Sequence, residues 1–376
     1  MKILLCFGTR PEAIKMAPIC LELKKRNIPF KLCVTAQHRE MLDQVLAFFE
    51  IIPDYDLNLM TPNQSLNELS SRILKEVDAV LKRETFDLVL VHGDTTTSTM
   101  VALATFHRGI KVGHVEAGLR TYNKLSPFPE ELNRQLTGKI ADFHFAPTFK
   151  AQQNLLNEGV DASSIIVTGN TVIDALYITL NKIQEGYTNS FIEGLKQKIN
   201  FSKKIILVTG HRRESFGEGF ENICEAILKI SCNTNLEIVY PVHLNPNVQD
   251  TVYKMLSGKA NIHLINPLDY PSFVWLMNKA SLIISDSGGI QEEAPSLNVP
   301  VLVTRNATER DEGIEEGFSF LVGTDTSKIV SKTMEILNLC CKTNERKNPY
   351  GNGSASENII NHFNLSRTIF CHIFRK

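Results

Sequence analysis

The first 25 residues contain the segment that decides the fold: residues 3–7 (ILLCF), then 8–11 (GTRP), then 12–25 (EAIKMAPICLELKK). A short apolar run, a turn and a longer stretch with helical spacing indicate a buried strand that leads into a helix. The same succession recurs along the chain. Alternating strands and helices predict a parallel sheet that is covered by helices on both faces.

The predicted strands form two series, one in each half of the chain. The first series comprises 3–7, 31–35, 88–91, 111–115, 143–146 and 165–167. The second comprises 204–209, 237–240, 261–265, 282–285, 300–303 and 318–322. Helices of the first half are predicted at 12–25, 39–49, 66–82, 97–107 and 129–140. We therefore expect an α/β fold with two Rossmann-like doubly wound domains facing across a cleft.

The domain boundary is predicted near residues 169–174, with the polar stretch 184–203 as the alternative. The earlier position gives an N-terminal domain of residues 1–168 and a C-terminal domain of residues 169–357. Residues 345–357 (ERKNPYGNGSASE) are rich in turn formers. A helix within 358–376 follows them and is expected to rejoin the N-terminal domain.

The composition restricts the class of partner. The 376 residues are 43% hydrophobic with a formal net charge of −1, which provides no bulk attraction to nucleic acid or to an anionic membrane. No apolar stretch reaches the roughly 20 residues that span a bilayer. The eight cysteines form no Cys-x-x-Cys pair, and we expect buried free thiols in a reducing compartment. A cytoplasmic enzyme with a small-molecule ligand is the expectation.

The loop after the first strand has the features of a phosphate-binding corner. Pro11 suits the first turn of a helix, whose free N–H groups and partial positive charge attract anions, and Arg10 and Lys15 add full charges. The alternative is a helix that Pro11 starts, with solvated basic residues. Because this loop has one glycine, it lacks both the Gly-x-Gly-x-x-Gly pattern of nicotinamide-dependent epimerases and a Walker loop.

Carboxylates follow two neighbouring strands of the first half. Asp94 and Glu116 come directly after predicted strands, and Glu130 lies in the proline-rich segment 127–134 (PFPEELNR). Carboxylates that converge raise one another's proton affinity, which suits general acid–base chemistry. The alternative is structural: Asp94 caps the next helix, and Glu130 and Glu131 stabilise the first turn of theirs.

In the second half, a histidine flanked by cations follows the strand 204–209. His211 is a candidate for donation to a phosphate or for proton transfer, and Arg213 is one of the adjacent cations. The alternative is an ordinary surface histidine. His243 follows the next strand and is a second candidate to line the same site.

The segment 285–294 (SDSGGIQEEA) is the strongest local signal in the chain. Ser287, Gly288 and Gly289 at a helix start leave backbone N–H groups open to a diphosphate, and Glu293 is placed to accept from ribose hydroxyls. Two further candidates belong to the same site. Phe273 is expected to cover a uracil ring, or else to be a core residue, and Arg310 is expected to add charge, or else to be solvated.

Six motifs together resemble the non-hydrolysing bacterial UDP-N-acetylglucosamine 2-epimerases. They are GTRPEAIK (8–15), AQHREMLDQ (36–44), HGDT (92–95), GHVEAGLR (113–120), TGHRRES (209–215) and SDSGGIQEE (285–293). The resemblance extends from Met1 to about Gly351. It implies a GT-B type fold, a homodimer, no redox cofactor or metal, and reversible formation of UDP-N-acetylmannosamine for surface polysaccharides. It also implies anti elimination of UDP to 2-acetamidoglucal, followed by re-addition.

Motif position assigns three groups of residues within this resemblance. The catalytic group is Asp94, Glu116, Glu130 and His211, with Asp94 as the leading candidate for the base. The UDP-binding group is Arg10, Lys15, Phe273, Ser287, Gly288, Gly289, Glu293 and Arg310. An allosteric site for UDP-N-acetylglucosamine is implied at Gln37, His38, Arg213 and His243. Leu268 stands where the family can have glutamine, which leaves only a backbone contact there.

Three alternatives stay open at this point. A hydrolysing 2-epimerase would release free N-acetylmannosamine, but those enzymes tend to have Gly-Thr-Arg-Ala before an acidic residue, whereas Pro11 and Glu12 follow Arg10 here. A GT-B glycosyltransferase would share the segment 287–293 but should have an acceptor pocket in place of three carboxylates. A non-catalytic UDP-sugar sensor would not need the acid–base set.

Overall fold

The computed structural model describes residues 1–35, 39–61, 64–210, 212, 216–338 and 347–365. The candidates Gln37, His38, His211 and Arg213 lie outside the described residues. The chain divides into two compact units. Unit 1 consists of Met1–Tyr177 and the chain from Tyr350 onward, and unit 2 of Ile178–Pro349.

Unit 1 contains a parallel sheet that has seven strands in the described part of the chain. They are β1 (Ile3–Phe7), β2 (Phe30–Val34), β3 (Tyr55–Asp56), β4 (Leu88–His92), β5 (Lys111–Val115), β6 (Phe143–Ala146) and β7 (Ile165–Val167). Their order is β3-β2-β1-β4-β5-β6-β7. Strands β1 and β4 are buried along their whole length, which explains their uninterrupted apolar sequences.

The helices of unit 1 follow the strands in alternation. They are α1 (Arg10–Lys25), α2 (Arg39–Phe48), α3 (Leu66–Arg83), α4 (Thr96–His107), α5 (Glu130–Ile140) and α6 (Phe149–Asn157). A seventh helix, α7 (Thr171–Gln184), starts in unit 1 and continues past Tyr177, the last residue of this part of the unit. Capping boxes start α1 at Thr9 and α3 at Ser65, where the hydroxyl and the glutamate three residues later bond reciprocally to backbone N–H groups. Local sequence therefore fixes where these helices begin.

The C-terminal helix, α15 (Ala355–Leu365), belongs to unit 1. The Asp174 carboxylate accepts from the backbone N–H groups of Ala355 at 3.1 Å and Ser356 at 2.8 Å. The Phe363 ring packs edge-on against Phe145. The sequence predicted domain boundaries at residues 168 and 357, whereas the structure divides the chain after Tyr177 and before Tyr350. The difference arises because α7 starts within unit 1, where its Asp174 is hydrogen-bonded to the start of α15.

Unit 2 repeats the architecture with a parallel sheet of six strands among its described residues. They are β8 (Lys204–Thr209), β9 (Leu236–Pro241), β10 (Ile262–Ile265), β11 (Leu282–Ser285), β12 (Val301–Val303) and β13 (Ser319–Leu321), in the order β10-β9-β8-β11-β12-β13. The helices are α8 (Ser190–Lys198), α9 (Glu218–Ser231), α10 (Pro246–Leu256), α11 (Tyr270–Met277), α12 (Gly288–Glu293), α13 (Asp311–Glu315) and α14 (Thr326–Asn338).

The predicted α/β class with two Rossmann-like doubly wound domains is confirmed. The sequence reading missed β3, because two residues are too short for a periodic signal. Four of the described cysteines are buried free thiols, but Cys232 is exposed at the end of α9. No helix among the described residues is both long and apolar enough to cross a membrane.

Candidate functional site

The site in unit 1 lies where the order of the strands reverses, between β1 and β4. Ligands of open parallel sheets bind beyond the carboxyl ends of the strands at such a point. Arg10 is the first residue of α1, directly after β1, and is half-buried. The loops after β4 and β5 carry Asp94 and Glu116.

Glu116 and Lys15 form a buried ion pair. The Lys15 ammonium contacts Oε2 of Glu116, and both side chains are 8% exposed. The amide of Asn170, from the loop before α7, donates to the same oxygen at 2.8 Å. The backbone of Glu116 has φ +63°, a strained conformation for a residue with a Cβ and one that persists only where the surroundings enforce it. Two predicted residues are thus in direct contact, and Oε2 of Glu116 is held by both Lys15 and Asn170.

Glu12 is a second buried carboxylate beside this pair. It accepts from the backbone N–H of Thr9 at 2.8 Å and from the hydroxyl of Thr95 at 2.8 Å, so it connects the start of α1 to the loop after β4. Burial raises the pKa of Glu12, and the neighbouring His92 and the Thr95 hydroxyl oppose that rise. Its role is to brace two of the strand-end loops.

Asp94 is paired with a cation from α5. The buried guanidinium of Arg134 donates to Oδ2 of Asp94, and the Asn133 amide donates to the Asp94 carbonyl at 3.0 Å. The structural alternative for Asp94 is wrong, because Thr95 caps α4 by accepting from the N–H of Ser98. The Asp94 carboxylate is therefore not used for capping, and it stays 26% exposed.

The adjacent residues Glu130 and Glu131 differ completely in environment. Both lie in the first turn of α5, and Pro129 immediately precedes the helix. Glu131 is fully buried and accepts from the backbone N–H groups of Thr121 and Tyr122, each at 3.0 Å. Glu130 is half-buried, and its carboxylate has no hydrogen bond or ion pair with any described residue. The structural interpretation thus applies to Glu131, whereas Glu130 stays available for a ligand.

Two buried histidines flank the loop after β4. Nε2 of His114 is 2.7 Å from the carbonyl oxygen of Gly93, to which its N–H donates in the matching tautomer. Burial lowers the pKa of His114 to about 3, so this ring is neutral near pH 7. His92, the last residue of β4, is 4% exposed and lies 3.7 Å from Oε2 of Glu116.

In unit 2 the strand order reverses between β8 and β11, and the predicted glycines follow β11. Ser287 precedes α12, and its side chain makes no capping bond. Gly288 has a packing function that the sequence did not reveal: a Cβ there would lie 2.7 Å from Cζ of Arg310. A Cβ on Gly289 would meet only Oγ of Ser287, at 3.9 Å. The two glycines are therefore not equivalent.

The remaining candidates of unit 2 are partly buried around α12. Arg310 is 9% exposed and donates from Nε to Glu292 at 3.0 Å, so its interpretation as a solvated residue is wrong. Glu293 is also buried and accepts from the Tyr270 hydroxyl at 2.8 Å. Phe273, on α11, is half-buried.

Two further positions bear on the sequence predictions. Leu268 is buried. His243 is exposed and accepts at Nδ1 from the N–H of Asn245 at 3.1 Å.

Comparison with known proteins gives the family. The family model described as UDP-N-acetylglucosamine 2-epimerase matches residues 21–364. The UDP-N-acetylglucosamine 2-epimerase of Salmonella typhimurium is 54% identical over 366 residues, with 96% of this chain and 97% of the relative covered. The chain belongs to the UDP-N-acetylglucosamine 2-epimerase family. The enzyme of the same name from Campylobacter jejuni is 52% identical over 369 residues, with 96% of each chain covered.

Solved structures of this epimerase family share the fold along nearly the whole chain. The UDP-GlcNAc 2-epimerase of Neisseria meningitidis, crystallised with UDP-GlcNAc, has a TM-score of 0.92 at 50% identity and covers 97% of this chain and 100% of its own. The Methanocaldococcus jannaschii UDP-GlcNAc 2-epimerase, in complex with UDP-GlcNAc and UDP, has a TM-score of 0.84 at 35% identity, with coverages of 97% and 100%. The GT-B type fold class is confirmed.

Sequence reasoning did not assign roles to several residues that shape the candidate site. Asn170, Arg134 and His92 contact or face the predicted carboxylates but lie in segments that were read as a domain boundary, a helix and a strand end. For His92 and Asn170 the available signal was their position at or shortly after the carboxyl end of a strand, whereas Arg134 lies within α5 and had no such signal. Arg212 was read only as a neighbour of His211, yet its N–H donates to Oδ2 of Asp286 at 2.8 Å and connects the ends of β8 and β11.

Proposed function

We propose that the protein interconverts UDP-N-acetylglucosamine and UDP-N-acetylmannosamine by inverting the second carbon of the sugar, and that UDP is retained in the product. The observation that carries this proposal is the pair of strand-end carboxylates in unit 1, Glu116 and Asp94, each held by its own buried cation, Lys15 or Arg134. Family membership supports the same reaction. Such a pair of positioned carboxylates suits proton transfer at two faces of a sugar.

The reaction follows from what the sugar carbon needs. Its proton is not adjacent to a carbonyl, so the anomeric C–O bond must break as the proton leaves, and stabilisation of the departing diphosphate lowers the barrier. The C2–H electrons form the C1–C2 double bond of 2-acetamidoglucal, UDP departs with the C–O electrons, and a carboxylate takes the proton. In the reverse step UDP adds to C1 while C2 receives a proton on its other face.

We assign the proton chemistry to unit 1 and most of the UDP-binding candidates to unit 2, with Arg10 and Lys15 as the candidates from unit 1. Asp94 is the leading base, and Glu116 and Glu130 are the other proton-handling or sugar-orienting groups. A second group would hold the nucleoside and stabilise the diphosphate. It consists of His211 and the UDP-binding candidates Arg10, Lys15, Phe273, Ser287, Gly288, Gly289, Glu293 and Arg310. We also propose a homodimer, activation by UDP-N-acetylglucosamine at the allosteric group that includes His243, and a role in supplying surface polysaccharides.

A single incubation tests this function. The purified protein is incubated with UDP-N-acetylglucosamine in deuterium oxide, and the products are followed by NMR. We expect deuterium at the second carbon in both epimers with UDP attached. Free N-acetylmannosamine would instead identify a hydrolysing enzyme, and the absence of exchange and turnover would overturn the proposal in favour of a sensor.

A further inference from the structure

Two neighbouring glutamates at the end of α12 are buried and are held by different partners. Glu292 is 1% exposed and accepts from Nε of Arg310 at 3.0 Å. Glu293 is 6% exposed and accepts at Oε1 from the hydroxyl of Tyr270 at 2.8 Å. Hydrogen bonds to a charged group are among the strongest in proteins, so this bond restricts the orientation of the Glu293 carboxylate. Tyr270 therefore helps to decide where Glu293 points.

Tyr270 is itself held in place. It is the first residue of α11 and is 4% exposed. Asp269 caps this helix by accepting from the N–H of Ser272 at 3.0 Å. The side-chain amide of Asn189, which caps α8, donates to the Asp269 carboxylate at 2.9 Å. The Tyr270 hydroxyl thus reaches Glu293 from a helical turn that is anchored to a second helix.

The same helix connects two of the UDP-binding candidates, because α11 carries both Phe273 and the tyrosine that contacts Glu293. All of these residues belong to unit 2. A carboxylate has about four lone-pair positions, so Glu293 has acceptor capacity for ribose hydroxyls as well as for Tyr270. A site that hydrogen-bonds a ligand hydroxyl discriminates against the analogue that lacks it. A carboxylate in a fixed orientation would therefore select for the ribose hydroxyls.

We propose that Tyr270 is a positioning residue that holds Glu293 in the orientation in which it accepts from the ribose hydroxyls of the nucleotide. The inference rests on the proposed function for UDP as the ligand and for Glu293 as the ribose-binding residue. Tyr270 acts through Glu293 and determines how strongly the site prefers a nucleotide that carries these hydroxyls.

The test compares UDP with 2′,3′-dideoxy-UDP, which lacks both hydroxyls, and does not depend on turnover. In the unchanged protein we expect the Kd of the dideoxy analogue, measured by calorimetry, to exceed that of UDP by about 10- to 100-fold, the size of one hydrogen bond to a charged group. In Tyr270→Phe this ratio should fall about 3- to 10-fold, because the Kd for UDP rises. The Kd for the dideoxy analogue should stay within about twofold, since that ligand makes no bond to Glu293. General damage to the site would instead raise both Kd values.

Two further variants serve as reference and control. Glu293→Gln removes the carboxylate and should lower the ratio at least as much as Tyr270→Phe. Tyr55→Phe is the matched control, because the Tyr55 hydroxyl also donates to a glutamate, Glu84, at 2.6 Å, but near Lys2 at the amino end of β1. Its ratio should equal that of the unchanged protein.

The outcomes separate this inference from the function on which it rests. A ratio in Tyr270→Phe equal to that of the unchanged protein, or an equal rise of both Kd values, would overturn the positioning role. Equal binding of the two nucleotides by the unchanged protein would overturn it as well. Failure of the unchanged protein to bind UDP would overturn both proposals. If it bound UDP with the expected ratio but did not epimerise, only the proposed reaction would fall, and the titrations would still decide the role of Tyr270.

Discussion

The guanidinium of Arg310 lies directly against the backbone of Gly288, where a Cβ would be 2.7 Å from its Cζ atom. Arg310 is held there by Glu292, which accepts from Nε at 3.0 Å. Gly288→Ala therefore has to displace a buried, ion-paired side chain. We expect a loss of roughly 1–3 kcal/mol in the free energy of unfolding, measured by urea denaturation, together with weaker UDP binding.

Gly289→Ala is the matched control for that substitution. A Cβ at Gly289 would have Oγ of Ser287 as its nearest contact, at 3.9 Å. Alanine favours a helix over glycine by about 1 kcal/mol, so the free energy of unfolding should stay constant or rise. Equal stability of the two alanine variants would contradict the packing role of Gly288.

Glu130 and Glu131 give a second paired prediction. Glu130→Gln should lower turnover of UDP-N-acetylglucosamine by about 10²- to 10⁴-fold, as expected for loss of a general acid or base, and leave the free energy of unfolding within about 0.5 kcal/mol. Glu131→Gln puts an amide where a carboxylate accepts from Thr121 and Tyr122. It should lower the free energy of unfolding by roughly 1–3 kcal/mol.

Turnover assays and urea denaturation of both variants separate these effects. If Glu130→Gln were as unstable as Glu131→Gln, Glu130 would be a structural residue and not a catalytic one.

Periodicity alone located the buried strands closely. Strands β1, β5 and β8 begin and end at the predicted residues, because an apolar run between turn formers has sharp limits. The predicted helix starts were less accurate where a serine or threonine within a polar segment caps the helix. Thr95 was passed over as the cap of α4 in favour of Asp94, since both residue types cap well.

The position of the candidate site could be predicted from the sequence, but the cations that pair with its carboxylates could not. Parallel strands place Asp94 and Glu116 at one edge of a sheet, which the sequence pattern reveals. The partners Arg134 and Lys15 come from helices, and their reach across to a carboxylate depends on tertiary packing. Gly288 shows the same limit, because the arginine that requires it is 22 positions further along the chain.

Asp174 provides a third prediction, on the attachment of the C-terminal helix. Its carboxylate accepts from the N–H groups of Ala355 and Ser356 at the start of α15. Asp174→Ala leaves these groups without their acceptor and should lower the free energy of unfolding by roughly 2 kcal/mol. Asp161→Ala, which removes an exposed cap from Ser163, should cost about 1 kcal/mol or less. Equal losses in urea denaturation would contradict the special role of Asp174.

The buried histidines predict how stability depends on pH. Burial lowers the pKa of His114 to about 3 and that of His144 to about 4, whereas an unfolded chain has histidine near 6.5. Between these values the unfolded state binds more protons than the folded state. The contribution of each ring to stability is therefore complete above about pH 6.5 and is lost as the pH falls toward the folded pKa.

Removal of His144 should reduce this loss. Between pH 7.5 and pH 5 the low pKa of His144 lowers the free energy of unfolding by about 2 kcal/mol. His144→Leu lacks this ring, so its free energy of unfolding should decrease by about 2 kcal/mol less over the same pH range than that of the unchanged protein. Urea denaturation at pH 7.5, 6 and 5 measures the difference. His107→Gln, at an exposed position on α4, should run parallel to the unchanged protein. If His144→Leu also ran parallel, the ring would have to gain its proton as easily in the folded protein as in the unfolded chain, which contradicts its burial.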